Sequence, residues 1–266
     1  MICPFCAIEC HPLGNGHERC RECFSIFQTN AKATQYEEEY FQSKYDRQYG
    51  NSYLDDKISI MKRCENRMMA IERKTRVKQG ATLLEIGSAA GYFLEVARKH
   101  HLQIQGWEIS HFMVEYANQQ NLNSEQGDFF ELFQEWSDKN RKTFDYVAAF
   151  YVIEHFQRQV QLWFALQKLV KRGGWLLLAL PSSFGPLFYL QNEKWLQVQP
   201  EDHFVCYGPS SLKKIASRFG FATVYTEPEG LHPDRITRNK ALHPYIQKVQ
   251  KIMTFSDTFF AILQKT

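Results

Sequence analysis

Short apolar segments alternate with amphipathic segments from residue 80 to the end of the sequence. Apolar runs bounded by glycine or proline are typical of buried strands, whereas apolar residues at three- and four-residue spacings indicate helices. The predicted strands are residues 81–86, 102–107, 124–126, 144–150, 175–180, 222–227 and 258–263, and the predicted helices are residues 91–100, 110–120, 156–171, 209–220 and 242–253. Residues 182–208 are less regular. This alternation predicts a doubly wound α/β fold, with a mostly parallel sheet covered on both faces.

Two segments precede this main domain of residues 80–266. Five of the seven cysteines lie within the first 23 residues, and they define a small N-terminal unit over residues 1–30. Residues 31–79 form a predicted helical extension. Its apolar positions include Ile58, Met61, Met68 and Ile71. Tyr45 and Tyr49 of this extension either form a lid over a bound ligand or pack against the sheet.

The composition limits the partners and the compartment that we expect. The net charge is only +3 over 266 residues, so we expect no general binding of nucleic acid, although a local basic patch stays possible. No apolar run has the length that a bilayer span requires, and we expect no membrane partner. The N-terminal residues lack a basic segment followed by an apolar run, so no signal peptide is predicted. We therefore expect a cytoplasmic, reducing compartment, where cysteines are thiols or metal ligands.

The turn after the first strand of the main domain is the leading candidate for a ligand site. It reads Glu85-Ile-Gly-Ser-Ala-Ala-Gly91, and ligands of doubly wound folds bind at the carboxyl ends of strands. Gly87 allows a tight bend, and Gly91 allows the helix to begin close to a ligand. A dinucleotide-binding turn requires G-x-G-x-x-G, but Ala89 and Tyr92 occupy its second and third glycine positions. A different ligand is indicated, with a plain strand-to-helix turn as the alternative.

The turn resembles motif I of the class I S-adenosylmethionine-dependent methyltransferases, whose form is Asp/Glu-x-Gly-x-Gly-x-Gly. Glu108 at the end of the second strand, Gly127-Asp128-Phe129 after the third, and Phe144-Asp-Tyr-Val147 in the fourth are similar to later motifs of that family. The resemblance covers about residues 80–266. It implies a seven-stranded, Rossmann-like methyltransferase fold and S-adenosylmethionine as the cofactor.

The resemblance also implies which residues contact the cofactor. Glu108 is expected to bind the ribose hydroxyls, and Asp128 and Phe129 are expected to contact the adenine. The implied cofactor-binding residues are Glu85, Gly87, Ser88, Ala89, Gly91, Glu108, Ile109, Asp128, Phe129 and Tyr151.

Two histidines are candidates for acid–base chemistry. Methyl transfer needs mainly positioning and exclusion of water, and it needs a base only where the acceptor loses a proton. His155 belongs to Tyr151-Val-Ile-Glu-His155, which resembles the family's x-x-x-Glu-His, and it is expected beside the methyl group. His203 lies in the irregular segment 182–208, which is expected to cover the acceptor. Each is either a catalytic base or a structural histidine.

The N-terminal cysteines have the spacing of a zinc site. Cys3-x-x-Cys6 and Cys20-x-x-Cys23 form two pairs separated by thirteen residues, and four thiolates can close a tetrahedral site. Metal binding would supply the folding energy that so small a unit lacks. Four protein ligands leave no open position, so a structural zinc is predicted. A redox pair or free thiols are the alternative, and His17 is a possible substitute ligand.

Three functional hypotheses remain. The leading one is a methyltransferase that acts on oxygen or carbon of a small-molecule acceptor, which the x-x-x-Glu-His form of residues 151–155 and the low net charge support. The cysteine-rich head before the main domain resembles that of small-molecule and sugar-type methyltransferases. The second is an RNA or protein methyltransferase whose zinc unit holds the macromolecule. The third is a cofactor-binding partner without catalysis, which the presence of Gly87, Glu108 and Asp128 disfavours.

Overall fold

The computed structural model describes residues 1–34, 52–139, 142–233 and 236–266, which form two β-sheets with helices packed on them. The strands in chain order are β1 (Cys10–Gly14), β2 (His17–Cys20), β3 (Ile26–Gln28), β4 (Thr82–Ile86), β5 (Gln103–Glu108), β6 (Ser124–Gln126), β7 (Phe144–Phe150), β8 (Val170–Pro181), β9 (Val205–Cys206), β10 (Phe221–Glu229) and β11 (Thr258–Lys265). The helices in chain order are α1 (Lys57–Thr75), α2 (Tyr92–Lys99), α3 (His111–Gln119), α4 (Phe129–Asp138), α5 (Gln159–Leu169), α6 (Pro186–Leu190), α7 (Asn192–Val198), α8 (Pro209–Arg218) and α9 (His243–Met253).

The large sheet has seven strands in the order β10-β11-β8-β7-β4-β5-β6. The strands from β8 to β6 pair in parallel, whereas β11 runs antiparallel to both β8 and β10. Within this sheet the chain begins at the central strand β4, continues outward through β5 and β6, and then crosses back to β7 on the other side of β4. A reversal of this kind leaves a crevice at the carboxyl ends of the strands. The predicted doubly wound, seven-stranded, Rossmann-like fold is confirmed.

The centre of this sheet is buried on both faces. Residues 176–180 of β8 and 259–263 of β11 have no exposed side-chain surface, which explains why their sequences are continuous apolar runs rather than alternating patterns. Of the helices in the described residues, none has the length and apolar character needed to cross a bilayer.

Helix α1 packs on this core through most of the predicted apolar positions, since Met68 and Ile71 are buried and Met61 is partly buried. Its buried residues are Ile60, Cys64, Arg67, Met68, Ala70 and Ile71, whereas Ile58, which the apolar pattern included, is 87% exposed. The buried stripe also contains Arg67, which a search for apolar residues alone does not find. Tyr45 and Tyr49 lie outside the described residues.

Three elements differ from the sequence prediction. Helix α4 was not predicted, although Asp128 caps it by accepting a hydrogen bond from the backbone N–H of Phe130 at 2.8 Å. Strand β8 begins at Val170 rather than Trp175, because Gly173 at φ +74° carries the strand through a shift in its register with β7. The segment 182–208, predicted to be irregular, contains α6, α7 and β9.

The small sheet joins the N-terminal unit to the main domain. Its order is β1-β2-β3-β9, and all its pairs are antiparallel. Strand β9 lies within the segment between β8 and α8, where Cys206 pairs with Ile26 and Val205 with Phe27. Phe5 adds a side-chain contact by meeting Phe219 edge-on, with ring centroids 6.4 Å apart. The cysteine-rich unit therefore shares both a sheet and a core with the main domain.

Candidate active site

The turn after β4 adopts a left-handed backbone at three positions. Gly87, Ala89 and Gly91 have φ angles of +67°, +44° and +75°, a region that favours glycine. A Cβ atom at Gly87 would lie 2.4 Å from Cγ2 of Val152, and one at Gly91 would lie 2.6 Å from Cδ1 of Leu122. Both glycines are thus required by packing inside the protein, whereas the sequence analysis explained Gly91 by its approach to a ligand.

Glu108 fastens this turn to the end of β5. Its Oε2 accepts a hydrogen bond from the backbone N–H of Ala89 at 2.7 Å, and its Oε1 accepts one from the backbone N–H of Ser110 at 2.9 Å. Burial raises the pKa of Glu108, and these backbone N–H groups oppose the rise. Each carboxylate oxygen has further acceptor capacity, so the group can hold the turn and still accept hydrogen bonds from a ligand.

Three of the residues predicted to bind the cofactor differ in accessibility. Ile109, after β5, is 49% exposed. Phe129 is 5% exposed and packs against Trp107 and Phe156, with centroid distances of 6.1 and 5.3 Å. Asp128 uses Oδ1 to cap α4. Ile109 therefore offers an apolar surface to a ligand, while Phe129 lies mainly in the core.

Glu85, at the first motif position, is buried below the turn. It is 5% exposed, and its Oε2 has no hydrogen-bond partner in the part of the chain that the structure describes. Burial raises the pKa of Glu85 well above its ordinary value, and the positive charge of Arg67 opposes this. A buried oxygen without a partner is costly, so the site fits a ligand that donates a hydrogen bond or carries a positive charge.

Arg67 joins this region through a contact that the sequence analysis missed. Its Nε and Nη2 donate hydrogen bonds of 2.7 and 2.6 Å to the carboxylate of Glu229, at the end of β10. The Tyr151 hydroxyl donates to the same carboxylate at 3.0 Å, and the guanidinium lies 4.4 Å from the Phe150 ring centroid. Tyr151 has a φ of +56°. No signal in the sequence indicates this cluster, because Arg67 and Glu229 are 162 positions apart.

His155 and His203 lie together at the end of β7. His155 belongs to a 3-10 turn of residues 153–155, and its ring centroid is 4.6 Å from that of His203. Its Nδ1 is hydrogen-bonded to the backbone oxygen of Asp202 at 3.1 Å and lies 3.5 Å from Asp202 Oδ2. The backbone N–H of Phe204 donates to the carbonyl of Glu154 at 2.9 Å, which fixes the two segments together.

The two histidines have opposite protonation tendencies. Burial opposes protonation of His155, but contact with Asp202 and the nearby Glu154 outweigh it and raise the pKa. Burial lowers the pKa of His203 to about 3, and His155 contributes to the decrease. Burial raises the pKa of Glu154 to about 7. Nδ1 of His203 and both carboxylate oxygens of Glu154 have no hydrogen-bond partner among the described residues.

The segment between β8 and β9 covers this end of the sheet and adjoins the N-terminal unit. Phe188 and Trp195 are buried against Ile26 of β3, so they form the interior of this cover rather than a pocket wall. A cavity of about 230 Å³ lies beside them. It is lined by Arg19 and Phe24 of the N-terminal unit, by Ser183, Phe184 and Tyr189 of the segment after β8, and by Ser211 of α8.

The four predicted metal ligands converge. The Sγ atoms of Cys3, Cys6, Cys20 and Cys23 lie within 4.8 Å of one another, and those of Cys3 and Cys23 are 3.7 Å apart. A tetrahedral zinc with Zn–S bonds of about 2.3 Å places its sulfur atoms about 3.8 Å apart. Cys10 lies outside this group, and His17 is hydrogen-bonded through Nδ1 to the carbonyl of Asn15. The four cysteines therefore fit a tetrahedral ion.

A second group could also hold a metal ion. Potential ligand atoms of Glu154, His155 and His203 lie within 4.8 Å of one another. This group overlaps the histidine cluster, so metal binding there and proton transfer by His155 are competing uses of the same side chains.

Comparisons with known proteins agree with this architecture. Residues 61–226 match the methyltransferase domain family. A SAM dependent methyltransferase from Archaeoglobus fulgidus is similar in structure, with a TM-score of 0.57, 19% identity, and coverage of 84% of this chain and 98% of that one. Magnesium protoporphyrin IX methyltransferase from Synechocystis, with bound SAH, has a TM-score of 0.58 and 16% identity over 86% of this chain and 97% of that one. No curated protein matches the sequence.

Proposed function

Because the chain belongs to the methyltransferase domain family and is an S-adenosylmethionine-dependent methyltransferase, we propose that it methylates an oxygen or carbon atom of a small molecule. The contact between His155 and Asp202 at the end of β7 carries the proposal. Such an acceptor must lose a proton, and the pair provides a positioned base. The strand β7 lies next to β4, whose end forms the cofactor turn.

Bound S-adenosylmethionine supplies a methyl group on a positively charged sulfur. His155 Nε2 takes the proton from the acceptor, while Asp202 holds Nδ1 and stabilises the protonated ring. The electron pair left on the acceptor oxygen or carbon would attack the methyl carbon, and the carbon–sulfur bond would break as the new bond forms, with its electron pair returning to the sulfur of the departing S-adenosylhomocysteine. His155 retains partial exposure, with 18% of its side chain accessible, whereas His203 lies deeper and stays neutral. We therefore assign proton transfer to His155 and a positioning role to His203.

The cofactor assignment follows the ends of the strands. We propose that the Glu108 carboxylate accepts hydrogen bonds from the ribose hydroxyls. Ile109, with Asp128 and Phe129, would contact the adenine. The turn from Gly87 through Ser88 and Ala89 to Gly91 would follow the methionine part. Among the described residues, Oε2 of Glu85 has no hydrogen-bond partner, which supports a role in binding the positively charged amino group of the methionine part. Tyr151 would close the same end, held by Glu229.

We propose a structural zinc ion at Cys3, Cys6, Cys20 and Cys23. The convergence of four mostly buried thiols supports this, and zinc would favour their deprotonated forms. The ion would stabilise the loops before β1 and β3. Because β3 pairs with β9, it would also hold the strand that directly follows Asp202–Phe204.

An acceptor screen tests the function directly. Purified protein containing zinc would be incubated with labelled S-adenosylmethionine and a panel of phenols, sugars and carbonyl compounds with acidic C–H groups, alongside RNA and protein fractions. We expect turnover of a small molecule. For that acceptor, His155→Ala should reduce kcat by about 100-fold or more while leaving the affinity for S-adenosylhomocysteine unchanged.

Two controls separate the alternatives. His101→Ala removes a histidine from the turn between α2 and β5, far along the chain from the cluster, and should leave kcat unchanged. Metal analysis should find about one zinc ion per chain, since the four cysteines form a single closed site. Full turnover by His155→Ala would refute the base assignment, and a second ion lost on His155→Ala would favour the metal-binding use of this cluster.

A further inference from the structure

Helix α9, between β10 and β11, exposes an apolar stripe. Its residues lie at positions 245, 249, 252 and 253, which share one side of the helix, and Leu242, immediately before the helix, extends the stripe. The exposed fractions are 46% for Leu242, 72% for Tyr245, 53% for Val249, 76% for Ile252 and 55% for Met253. Within α9 only Gln250 is buried. The helix therefore turns its apolar stripe away from the protein.

The segment that contains α9 carries positively charged residues and no negatively charged ones. Residues 235–256 contain no aspartate or glutamate. Their basic residues are Arg235, Arg238, Lys240, Lys248 and Lys251. Lys248 and Lys251 are exposed residues of α9 itself. An apolar stripe flanked by lysines is typical of helices that lie in the interface of a membrane with anionic lipids.

We propose that α9 docks on the surface of a bilayer that contains anionic lipids. A second copy of the chain is a poorer occupant, because symmetric pairing would bring two acid-free basic segments together. Lysine is also depleted at the centres of protein–protein interfaces, whereas at a lipid surface its stem lies along the apolar boundary while its charge meets the headgroups. Docking of this kind requires no membrane span. The sequence analysis considered only spanning length and therefore expected no membrane partner.

The position of α9 gives the docking a consequence for the site. Phe255, two residues after the helix, packs against Phe184 and Tyr189 of the segment between β8 and β9, with ring centroid distances of 5.3 and 5.9 Å. Tyr189 is itself 50% exposed. A docked α9 would therefore hold the acceptor side of the enzyme close to the lipid surface. The docking itself does not depend on the identity of the acceptor.

Vesicle co-sedimentation tests the proposal. The full-length protein should sediment with vesicles of phosphatidylcholine and phosphatidylglycerol, and much less with phosphatidylcholine alone or at high salt. Ile252→Glu should weaken binding to the mixed vesicles by about tenfold or more, because it places a charge in the apolar stripe. Ile58→Glu is the matched control: Ile58 is 87% exposed on α1, and its replacement should leave vesicle binding unchanged.

Binding of S-adenosylhomocysteine, measured on the same preparations, reports whether each variant is folded. It should be equal in the wild type, Ile252→Glu and Ile58→Glu. Equal vesicle binding by Ile252→Glu and the wild type would overturn the proposal, as would failure of the wild type to sediment with either lipid mixture. A dimer in light scattering that Ile252→Glu dissociates would also overturn it, because the stripe would then be an interface between copies.

Discussion

The two ends of the proposed active site, the cofactor end and the acceptor end, are built differently. The residues proposed to bind the cofactor all lie within about five residues of the carboxyl end of β4, β5, β6 or β7. At the acceptor end, His155 depends on Asp202, which lies in a segment held by β9, and β9 depends on β3 of the N-terminal unit. The cofactor end is thus specified locally, whereas the acceptor end is assembled from three distant parts of the chain.

This contrast predicts that damage to the N-terminal unit impairs the acceptor end, and hence turnover, but leaves cofactor binding intact. Cys20→Ser should abolish zinc binding and reduce turnover by more than about 100-fold, because a small misplacement of catalytic groups is costly. Binding of S-adenosylhomocysteine should change little. Metal analysis and calorimetry check the two halves of this expectation.

Cys10→Ser supplies the matched control for that experiment. Cys10 is a buried thiol of the same unit that lies outside the four converging sulfur atoms, so zinc content and turnover should remain. Loss of cofactor binding in Cys20→Ser, with zinc-loaded protein still binding normally, would show that the two ends are not separable.

A substitution at the proposed cofactor end should have the opposite pattern of effects. Glu108→Ala removes the acceptor of two backbone hydrogen bonds and should lower the affinity for S-adenosylhomocysteine by about 30-fold, since hydrogen bonds to charged groups contribute roughly 1.5–3 kcal/mol each. Zinc content should stay unchanged. Glu115→Ala, which removes a carboxylate with 62% of its side chain exposed on α3, should bind normally, and a comparable loss in both variants would contradict the assignment.

A smaller effect is expected within the acceptor end. His155 must be unprotonated to act as a base, and Asp202 raises its pKa. Asp202→Asn should therefore lower the pKa and move the acidic limb of the kcat/KM profile to lower pH by about one unit. The maximal rate should fall by only about tenfold, because the backbone oxygen of residue 202 still holds Nδ1. An unchanged acidic limb would remove His155, or its link to Asp202, from the mechanism.

The same contrast explains how far the sequence could predict the molecule. The seven strands of the large sheet and the turn after β4 have local signals in the sequence. Each is indicated by a short apolar run and the residues that bound it. The sequence also carried a signal for α4, since Asp128 precedes the helix as its cap and Glu131 lies in its first turn. Asp128 was read only as a ligand contact, so the helix was missed.

Other features have no local signal. Strand β9 is two residues long, and only its partner β3 defines it as a strand. The pairing of Arg67 with Glu229 joins α1 to the end of β10, and neither residue has a neighbour in sequence that indicates the other. The contact of His155 with Asp202 is similar. Motif resemblance indicated the segment of His155, and His203 drew attention to the segment 182–208, but the fold alone brings the two segments together.

The shared small sheet also sets an order of events during synthesis. Ile26 and its partner Cys206 are roughly 180 residues apart, so at ~5–20 residues per second the strand β9 is made about 10–35 seconds after β3. Until then, the edge of β3 that pairs with β9 has no partner. A zinc ion bound early would hold the four N-terminal cysteines together before the rest of the enzyme exists, and the supply of zinc to the growing chain would then limit the yield of active protein.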